Sequence, residues 1–515
     1  MSNVQSALRS LVVYAICIPA AIFLGYLLTD PLQRQTFVTV SLVFAFLCFP
    51  LLIRFHYPLM LMLWNATAVL FFVPGRPAIG AAAIAFSFLV SLSRRSLDRR
   101  FQFLKVPSVT RPLIAFALIV VVTAQLTGGI GLRAFGGEVY GGKRYLLLLL
   151  SIVGYFAITA YRIPPERAKL YVALFFLGGV TNLVGDLFPI LVSWMPFLFW
   201  LFPIFSTETG TIELGSTRLV GLSAASAAVF CFMLAKYGIR GLILSGKPLR
   251  FITFVVLSAA GLLGGFRSTL LFMLICFAFQ FFLEGLHRTK LLPVLALCGL
   301  LTATLAVPFA SKLPFTIQRA LAVLPVPLDP LARYSAKVSS DWRLNMWKAV
   351  LPQVPQYLLL GKGLGFSRAD YDSTKELAFQ TRAISGDQIG AALAGDYHNG
   401  PLSVVIPFGI WGFIAFVWFL VAGYRVLYQN YRFGDPGLHI INAFLLADFI
   451  TRTFMFFVIV GGITSDMLHF AAVVGLSVSL NGGVSRPATI IDESSPEPKP
   501  LPSFMTRPRP ALGRR

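Results

Sequence analysis

The stretch DYHNGPLSVVIPFGIWGFIAFVWFL, residues 396–420, decides the fold and contains the most informative side chain of the protein. An Asp, a Tyr, a His and an Asn precede an apolar run long enough to cross about 30 Å of hydrocarbon as a helix. The pattern predicts a membrane-spanning helix that begins beside His398. A titratable group at the mouth of a span is placed to do acid/base work on a substrate at the membrane surface.

The rest of the chain has the same apolar character. Of its 515 residues, 57% are hydrophobic and only 12% are charged, which is roughly half the charged fraction of a soluble domain. Apolar runs of spanning length recur almost throughout, so we predict an all-α polytopic membrane protein with about 12–14 transmembrane helices. No clear cleavage site follows the first run, residues 11–28, and we interpret it as a retained helix.

The formal net charge of +22 has two interpretations in such a protein. It reflects basic cytoplasmic loops, or affinity for anionic lipid head groups or pyrophosphate; we expect no nucleic-acid partner. Basic residues follow every second predicted span, as in the loops that contain Arg94, Arg162, Lys236, Arg288 and Arg425. This alternation predicts cytoplasmic termini and places the longest loop, residues 309–400, on the outer side.

The chain divides into three expected parts. These are an N-terminal transmembrane bundle at 1–217, a transmembrane core at 218–480 that includes the outer loop 309–400, and a tail at 481–515. Helical patterns around 341–350 and 373–382 predict a small ordered subdomain within the loop. The tail contains PEPKPLP and RPRP, and we expect it to be a disordered cytoplasmic extension.

The outer loop contains the sequence RLNMWKAVLPQVPQYLLLGKGLGF, residues 343–366. Helical periodicity puts Arg343 and Trp347 on one face. Alternating glycines at 361–365 suit either a tight turn or a phosphate cradle, and their position after a helix excludes a dinucleotide-binding fingerprint. The five cysteines lie inside apolar runs without metal-ligand spacing. We therefore expect no metal and no cofactor.

An Arg-x-x-x-Trp helix, a glycine turn that ends in Phe366, and a His-Asn pair that opens a span follow one another along the chain. Upstream, the GGFRST sequence puts Arg267 in a short turn between two apolar runs. Over roughly residues 250–425 this ordered set resembles the C-terminal domain shared by O-antigen ligases and O-antigen polymerases.

The resemblance implies a GT-C-like glycosyltransferase of the bacterial inner membrane with a periplasmic active site. The implied donor is a glycan on undecaprenyl pyrophosphate, and the implied acceptor is a sugar hydroxyl of a glycolipid or glycan, within membrane lipid. By position, Arg267 and Arg343 match the arginines that contact pyrophosphate, and His398 matches the general base.

The chemistry of these side chains suits those roles. Guanidinium groups offer planar, bidentate donors to a pyrophosphate leaving group, and an imidazole is poised to accept a hydroxyl proton. We therefore predict an inverting, metal-independent displacement in which Asp396 or Asp387 orients His398. The other predicted substrate contacts are Arg368, Arg382, Lys362, Trp347, Asn399 and Asp396.

Plainer interpretations exist for each of these residues. His398 is otherwise a polar residue at the entrance of a span, Arg267 a snorkelling arginine, and Arg343 a solvated charge paired with Asp341. Asp448 and Arg452 share a helix face, as a structural ion pair or as a further substrate contact.

Three functions fit this chain to different degrees. We favour a ligase, with an O-antigen, capsule or exopolysaccharide polymerase as the alternative that uses the same bond chemistry. A secondary transporter or lipid-glycan flippase is a further alternative. It is expected to show paired broken helices and internal symmetry, neither of which is visible in the sequence.

Overall fold

The computed structural model describes residues 33–131, 140–203, 218–367 and 395–487, with isolated positions between 14 and 29 and at 372 and 393. The predicted helix at 373–382, together with Arg368, Arg382 and Asp387, lies outside the described residues, as does the tail beyond residue 487. The described residues contain helices, turns and two isolated β-bridges, Val69 with Ala78 and Tyr140 with Phe366. The all-α fold is confirmed.

The α-helices of the described part fall into two halves of the chain. The first half contains α1 (Arg34–Leu47), α2 (Phe49–Leu63), α3 (Ile79–Leu97), α4 (Pro107–Leu126), α5 (Gly142–Ile158), α6 (Ala168–Leu177), α7 (Leu183–Asp186), α8 (Phe188–Leu191) and α9 (Leu198–Leu201). The second half contains α10 (Val220–Ile243), α11 (Pro248–Ala260), α12 (Arg267–Leu283), α13 (Leu291–Ala306), α14 (Phe315–Leu321), α15 (Pro330–Val350), α16 (Val354–Tyr357), α17 (Gly400–Phe433), α18 (His439–Phe454) and α19 (Ile463–Asn481).

Six helical segments of the described residues are long and apolar enough to cross a membrane. They are Pro107–Leu126, Pro165–Asp186, Val220–Ile243, Gly400–Phe433, Pro436–Ile459 and Ile463–Asn481. A seventh is added if the pair Val38–Phe44 and Phe49–Leu63, bent by 88°, counts as one span. The polytopic prediction is confirmed. Among the described residues, other predicted spans form shorter apolar helices, as at Pro248–Gly264 and Leu291–Thr304.

The centre of the bundle is α19, whose membrane-length window is 72% buried, the largest share among the six segments. Small side chains let neighbouring helices approach closely: Gly475 packs against Ile158 and Tyr155 of α5. Polar side chains of α19 are paired with its neighbours, as where Asn481 and Asn442 exchange two amide hydrogen bonds of 2.9 and 3.0 Å. Close packing and satisfied amides therefore fix α19 against the rest of the bundle.

Helix α17 is broken two to three turns after its start. Pro407 lies inside the helix, and Gly409 has φ +66°, a left-handed conformation that glycine adopts without a Cβ penalty. The N–H of Ile410, which the break frees, donates to the carbonyl of Leu358 at 2.7 Å. The long loop 309–400 is thus joined to α17 by backbone hydrogen bonds at the break.

The glycine turn, residues 361–365, packs into this break. The N–H of Lys362 donates to the carbonyl of Ile406 at 2.7 Å, and the N–H of Leu364 donates to the hydroxyl of Tyr145 at 2.7 Å. These amides already have protein partners and are not directed at a ligand. The turn is a packing element, which is the plainer of its two interpretations, and it fixes the path of the loop near His398.

Candidate functional site

His398 lies directly before α17 in a left-handed backbone conformation, with φ +47°. This conformation is rare for residues other than glycine, although Asn, Asp and His adopt it several-fold more often than most. Such strain, about 1–3 kcal/mol, persists only where the surrounding structure holds it, and it concentrates at functional sites. The structure therefore sets the backbone of His398 apart from that of an ordinary residue at the entrance of a span.

Two neighbours orient the imidazole of His398. Its Nδ1 atom lies 3.6 Å from Oδ1 of Asp396, and its ring centroid lies 5.4 Å from that of Trp342 at an angle of 56°. The carboxylate favours the tautomer with the proton on Nδ1. Because Nε2 has no hydrogen-bond partner within the described part of the chain, that nitrogen is available as a proton acceptor.

The electrostatic surroundings keep this imidazole neutral. Burial lowers the pKa of His398 below its usual value, the positive charge of Arg343 lowers it further, and Asp396 opposes both by raising it. The net direction is downward, so the ring is unprotonated at neutral pH. A neutral, half-buried imidazole is the form that a general base requires.

The structure brings Arg267 and Arg343 into the same region. Arg267 begins α12, and its Nη2 atom donates a 2.9 Å hydrogen bond to the hydroxyl of Ser340 on α15. Arg343 follows one turn later on α15. Burial and the charge of Arg267 lower the pKa of Arg343, while Asp396 raises it. Since Arg343 also affects His398, the two arginines and the histidine form one electrostatic unit.

Arg319 joins this unit, although no motif in the sequence singled it out. It lies on the short helix α14, and its Nη2 atom donates a 2.5 Å hydrogen bond to Ser339. Burial lowers its pKa, and the like charges of Arg267 and Arg343 lower it further. The available sequence signal was its position in a short amphipathic segment directly after an apolar run.

Arg218 is the fourth guanidinium of the region and was also missed. It lies two residues before α10, donates from Nε to the carbonyl of Gly264 at 3.0 Å, and lies 4.1 Å above the ring of Phe266. Burial, followed by the charge of Arg319, lowers the pKa of Arg218 to about 10. Its position at the start of a span, like that of His398, was the signal that could have found it.

These four residues form what we call the arginine cluster: Arg218, Arg267, Arg319 and Arg343. None of them belongs to the ion pairs found among the described residues. In particular, Arg343 is not paired with Asp341. Half-buried guanidinium groups that depress one another's pKa are stabilised by an anion, and phosphate oxygens match their fork of donors. Within the same described part, no group of three or more His, Cys, Asp and Glu residues could hold a metal ion.

Trp347 and Asn399 have backbone contacts on either side of His398. The indole Nε1 of Trp347 donates to the carbonyl of Tyr397 at 2.8 Å. The side-chain oxygen of Asn399 caps α17 by accepting the N–H of Leu402 at 3.1 Å. These contacts give both residues a role in positioning His398, and their direct contact with substrate stays a prediction. Asp396 is placed as predicted for an orienting carboxylate.

A second polar group lies inside the bundle. Asp448 is fully buried and accepts from Nε of Arg452 at 3.1 Å, while its other oxygen lies 2.7 Å from Nε2 of His469. Arg452 also lies 4.7 Å above the ring of Phe272 on α12. The pairing agrees with the structural interpretation of Asp448 and Arg452. These contacts link α18, α19 and α12 inside the bundle.

Comparison with known proteins gives a family match over part of the chain. Residues 252–417 match the family model described as O-antigen ligase. The matched region begins in α11 and ends in α17, and it includes Arg267, Arg319, Arg343 and His398. No curated protein sequence matches the chain. Together with the polytopic all-α fold, the match shows that residues 252–417 of this chain are similar to the O-antigen ligase family.

Proposed function

We propose that this protein transfers a glycan from undecaprenyl pyrophosphate to a sugar hydroxyl of an acceptor glycolipid at the periplasmic face of the bacterial inner membrane. The family supports ligase- or polymerase-type activity in general. The finer assignment is supported by one observation above all. A cluster of four arginines without carboxylate partners among the described residues adjoins a neutral, carboxylate-oriented imidazole.

The arginine cluster contacts the donor pyrophosphate in this proposal. As the bond between the anomeric carbon and the phosphate oxygen breaks, negative charge grows on the leaving pyrophosphate. Preorganised guanidinium donors in a partly dry site stabilise that charge without reorganisation. Because this stabilisation comes from side chains that remain charged, we expect transfer to proceed without a divalent metal.

His398 acts on the acceptor. Its Nε2 atom removes the proton of the acceptor hydroxyl as the oxygen attacks the anomeric carbon from the face opposite the leaving group. The new glycosidic bond forms, undecaprenyl pyrophosphate departs with the electron pair of the broken bond, and the anomeric configuration inverts. Asp396 stabilises the imidazolium that results, as the orienting carboxylate of a catalytic His does.

The test separates the chemistry of His398 from its backbone strain. Asn tolerates the left-handed conformation, so His398→Asn removes the base and retains the backbone preference. We expect its transfer rate, measured with purified lipid-linked donor in EDTA, to fall by about 10²–10⁴-fold. Trp411→Phe on the exposed side of α17 is the control. Undiminished transfer by His398→Asn contradicts the assignment, and a requirement for added divalent metal contradicts the metal-independent mechanism.

The acceptor separates a ligase from a polymerase, which perform the same bond chemistry. Deletion of the gene followed by gel analysis of the surface glycans distinguishes them. Bare core with accumulated long lipid-linked chains indicates a ligase, which we favour because of the His398–Asn399 motif and the single long loop 309–400. Core that bears a single repeat indicates a polymerase. Unchanged glycans with lost uptake of a solute contradict both and favour transport.

A further inference from the structure

A cavity of about 540 Å³ adjoins the candidate site on the other side of Asp396. It lies where α3, α5 and α19 begin, and Trp64 at the end of α2 completes its wall. Asp396 lines this cavity and also lies 3.6 Å from Nδ1 of His398. The cavity and the imidazole therefore share one carboxylate, and a molecule bound in the cavity reaches the neighbourhood of the proposed base.

Trp64 forms a closely packed part of the cavity wall. The residue is only 4% exposed, and its indole Nε1 is itself buried in the surrounding packing. A Cβ at Gly154 would lie 2.5 Å from the ring, and Phe175 lies against it with ring centroids 6.1 Å apart. Trp64 therefore contributes a fixed aromatic side chain to the wall.

Arg144 supplies a donor to the cavity from the start of α5. One of its nitrogens donates to the carbonyl of Leu393 at 3.2 Å, and its guanidinium lies 5.9 Å from the ring centroid of Phe366. Arg144 is absent from the ion pairs of the described residues. The rest of the guanidinium is available to the cavity, and the charges of Arg144 and Asp396 offset one another within it.

The remaining wall combines small residues with hydroxyl groups. Gly80, Gly395 and Gly462 leave room, while Thr464 and Ser465 add polar atoms at the start of α19. This volume falls within the usual range of ligand cavities, which combine apolar walls with a few placed polar groups. A neutral molecule with many hydroxyl groups and an apolar ring face fits this wall. An anion is less suited because Asp396 faces the same space.

We infer that this cavity is the acceptor subsite and holds the sugar ring that presents the attacking hydroxyl. The inference rests on the proposed glycosyl transfer. The guanidinium of Arg144 donates to a hydroxyl oxygen of that sugar, Asp396 accepts from one of its hydroxyl groups, and the aromatic ring of Trp64 packs against its apolar face. The donor pyrophosphate lies at the arginine cluster, so the two substrates approach His398 from different sides.

The experiment measures transfer at varied acceptor concentration with saturating donor. Two probes are used as acceptor: lipid A–core glycolipid, and a second undecaprenyl-pyrophosphate-linked oligosaccharide. Arg144→Gln removes the charged donor of the cavity, and Arg333→Gln is the matched control, because Arg333 on α15 also donates to a backbone carbonyl but does not line the cavity. We expect Arg144→Gln to raise the acceptor KM by about three- to tenfold, with kcat and donor KM within about twofold of the wild type.

A second variant distinguishes a loss of acceptor binding from a loss of folding. Ala81→Leu fills the cavity from α3, and it is expected to raise the acceptor KM by at least as much while the melting temperature stays near that of the wild type. The acceptor probe whose KM responds identifies the natural acceptor class. An unchanged acceptor KM in both variants, or a rise confined to donor KM, overturns the inference and leaves the proposed function standing. Failure of the wild-type protein to transfer glycan to either probe overturns both.

Discussion

Nδ1 of His398 lies 3.6 Å from Oδ1 of Asp396, across one intervening residue. The same carboxylate oxygen accepts the backbone N–H of His398 at 3.4 Å, so Asp396 contacts both the side chain and the strained backbone of the histidine. Arg343 acts on the imidazole with the opposite sign. The protonation of His398 is therefore set by two neighbours whose effects can be separated by substitution.

The pH dependence of transfer follows from these opposing charges. Because the pKa of His398 is below its usual 6.5, wild-type activity is expected to be full at neutral pH and to fall as the pH drops through that lowered pKa. Arg343→Gln removes a positive charge, so the pKa of His398 rises. The acid limb, which is the part of the pH profile where activity falls at low pH, then moves to higher pH. Asp396→Asn removes a negative charge and moves the limb to lower pH. The measurement is kcat against pH at saturating donor.

Opposite displacements of the acid limb are the signature of a base at His398. Lys348→Gln, on the same helix as Arg343, is the control and is expected to leave the limb in place. We also expect kcat to fall about tenfold in both test variants, since each changes the pKa of His398. Displacement of the limb in the same direction by both substitutions contradicts the assignment.

Anion binding by the arginine cluster is testable with inorganic pyrophosphate and EDTA. Pyrophosphate is expected to raise the melting temperature of the wild-type protein, because a ligand that binds only the folded state stabilises it. Arg319→Gln removes one charged donor, and we expect the pyrophosphate Kd to increase by about 10- to 100-fold. Arg333→Gln is the matched control, since Arg333 lies on α15 and donates to the carbonyl of Val326. If pyrophosphate raises the melting temperatures of Arg319→Gln and Arg333→Gln equally, the arginine cluster is not the anion site.

The glycine turn has a stability prediction with an internal comparison. Gly363 and Gly75 have similar backbones, φ +77° and +80°, but a Cβ at Gly363 would lie 2.3 Å from Oγ1 of Thr127, whereas Gly75 faces open space. We expect Gly75→Ala to cost about 1–2 kcal/mol, the penalty of the left-handed backbone alone. Gly363→Ala is expected to cost at least twice that in detergent-solubilised unfolding experiments. Equal losses indicate that the turn is not packed against Thr127.

Asp448 is expected to matter for stability. Asp448→Ala leaves Arg452 without its 3.1 Å partner, and breaking a buried pair typically costs about 3–5 kcal/mol. Adding Arg452→Leu to that variant removes the unpaired charge, so the double variant is expected to recover part of the lost stability. A double-mutant cycle of unfolding free energies measures the coupling. A double variant less stable than Asp448→Ala alone contradicts a structural ion pair.

Much of the fold of this protein can be predicted from local sequence. Long apolar runs predicted the all-α polytopic fold, because a spanning helix satisfies its backbone within one contiguous segment. The lengths and breaks of individual helices were less accessible. Apolar composition alone does not show that α17 is broken at Pro407 and Gly409, or that the helix at Leu291–Thr304 is shorter than a full span.

The candidate site was only partly accessible to sequence reasoning. His398, Arg267 and Arg343 carry recognisable motifs, and Asp396 lies two residues from His398, within reach of it in most backbone conformations. Arg218 and Arg319 carry no motif and were missed. The coupling of Arg319 to Arg267 and Arg343, and of Arg218 to Arg319, depends on the packing of separate helices. The cavity wall at Trp64 and Arg144 was missed for the same reason.

The sequence by itself therefore determined the membrane class, the resemblance of residues 252–417 to the O-antigen ligase family and the histidine directly before α17, since each depends on residues close together in the chain. Only the tertiary structure decided that four arginines share one region and that Asp396 serves both His398 and a cavity. Charges interact through space with an energy that falls with distance, and distances between remote segments are fixed only when α10, α12, α14 and α15 pack.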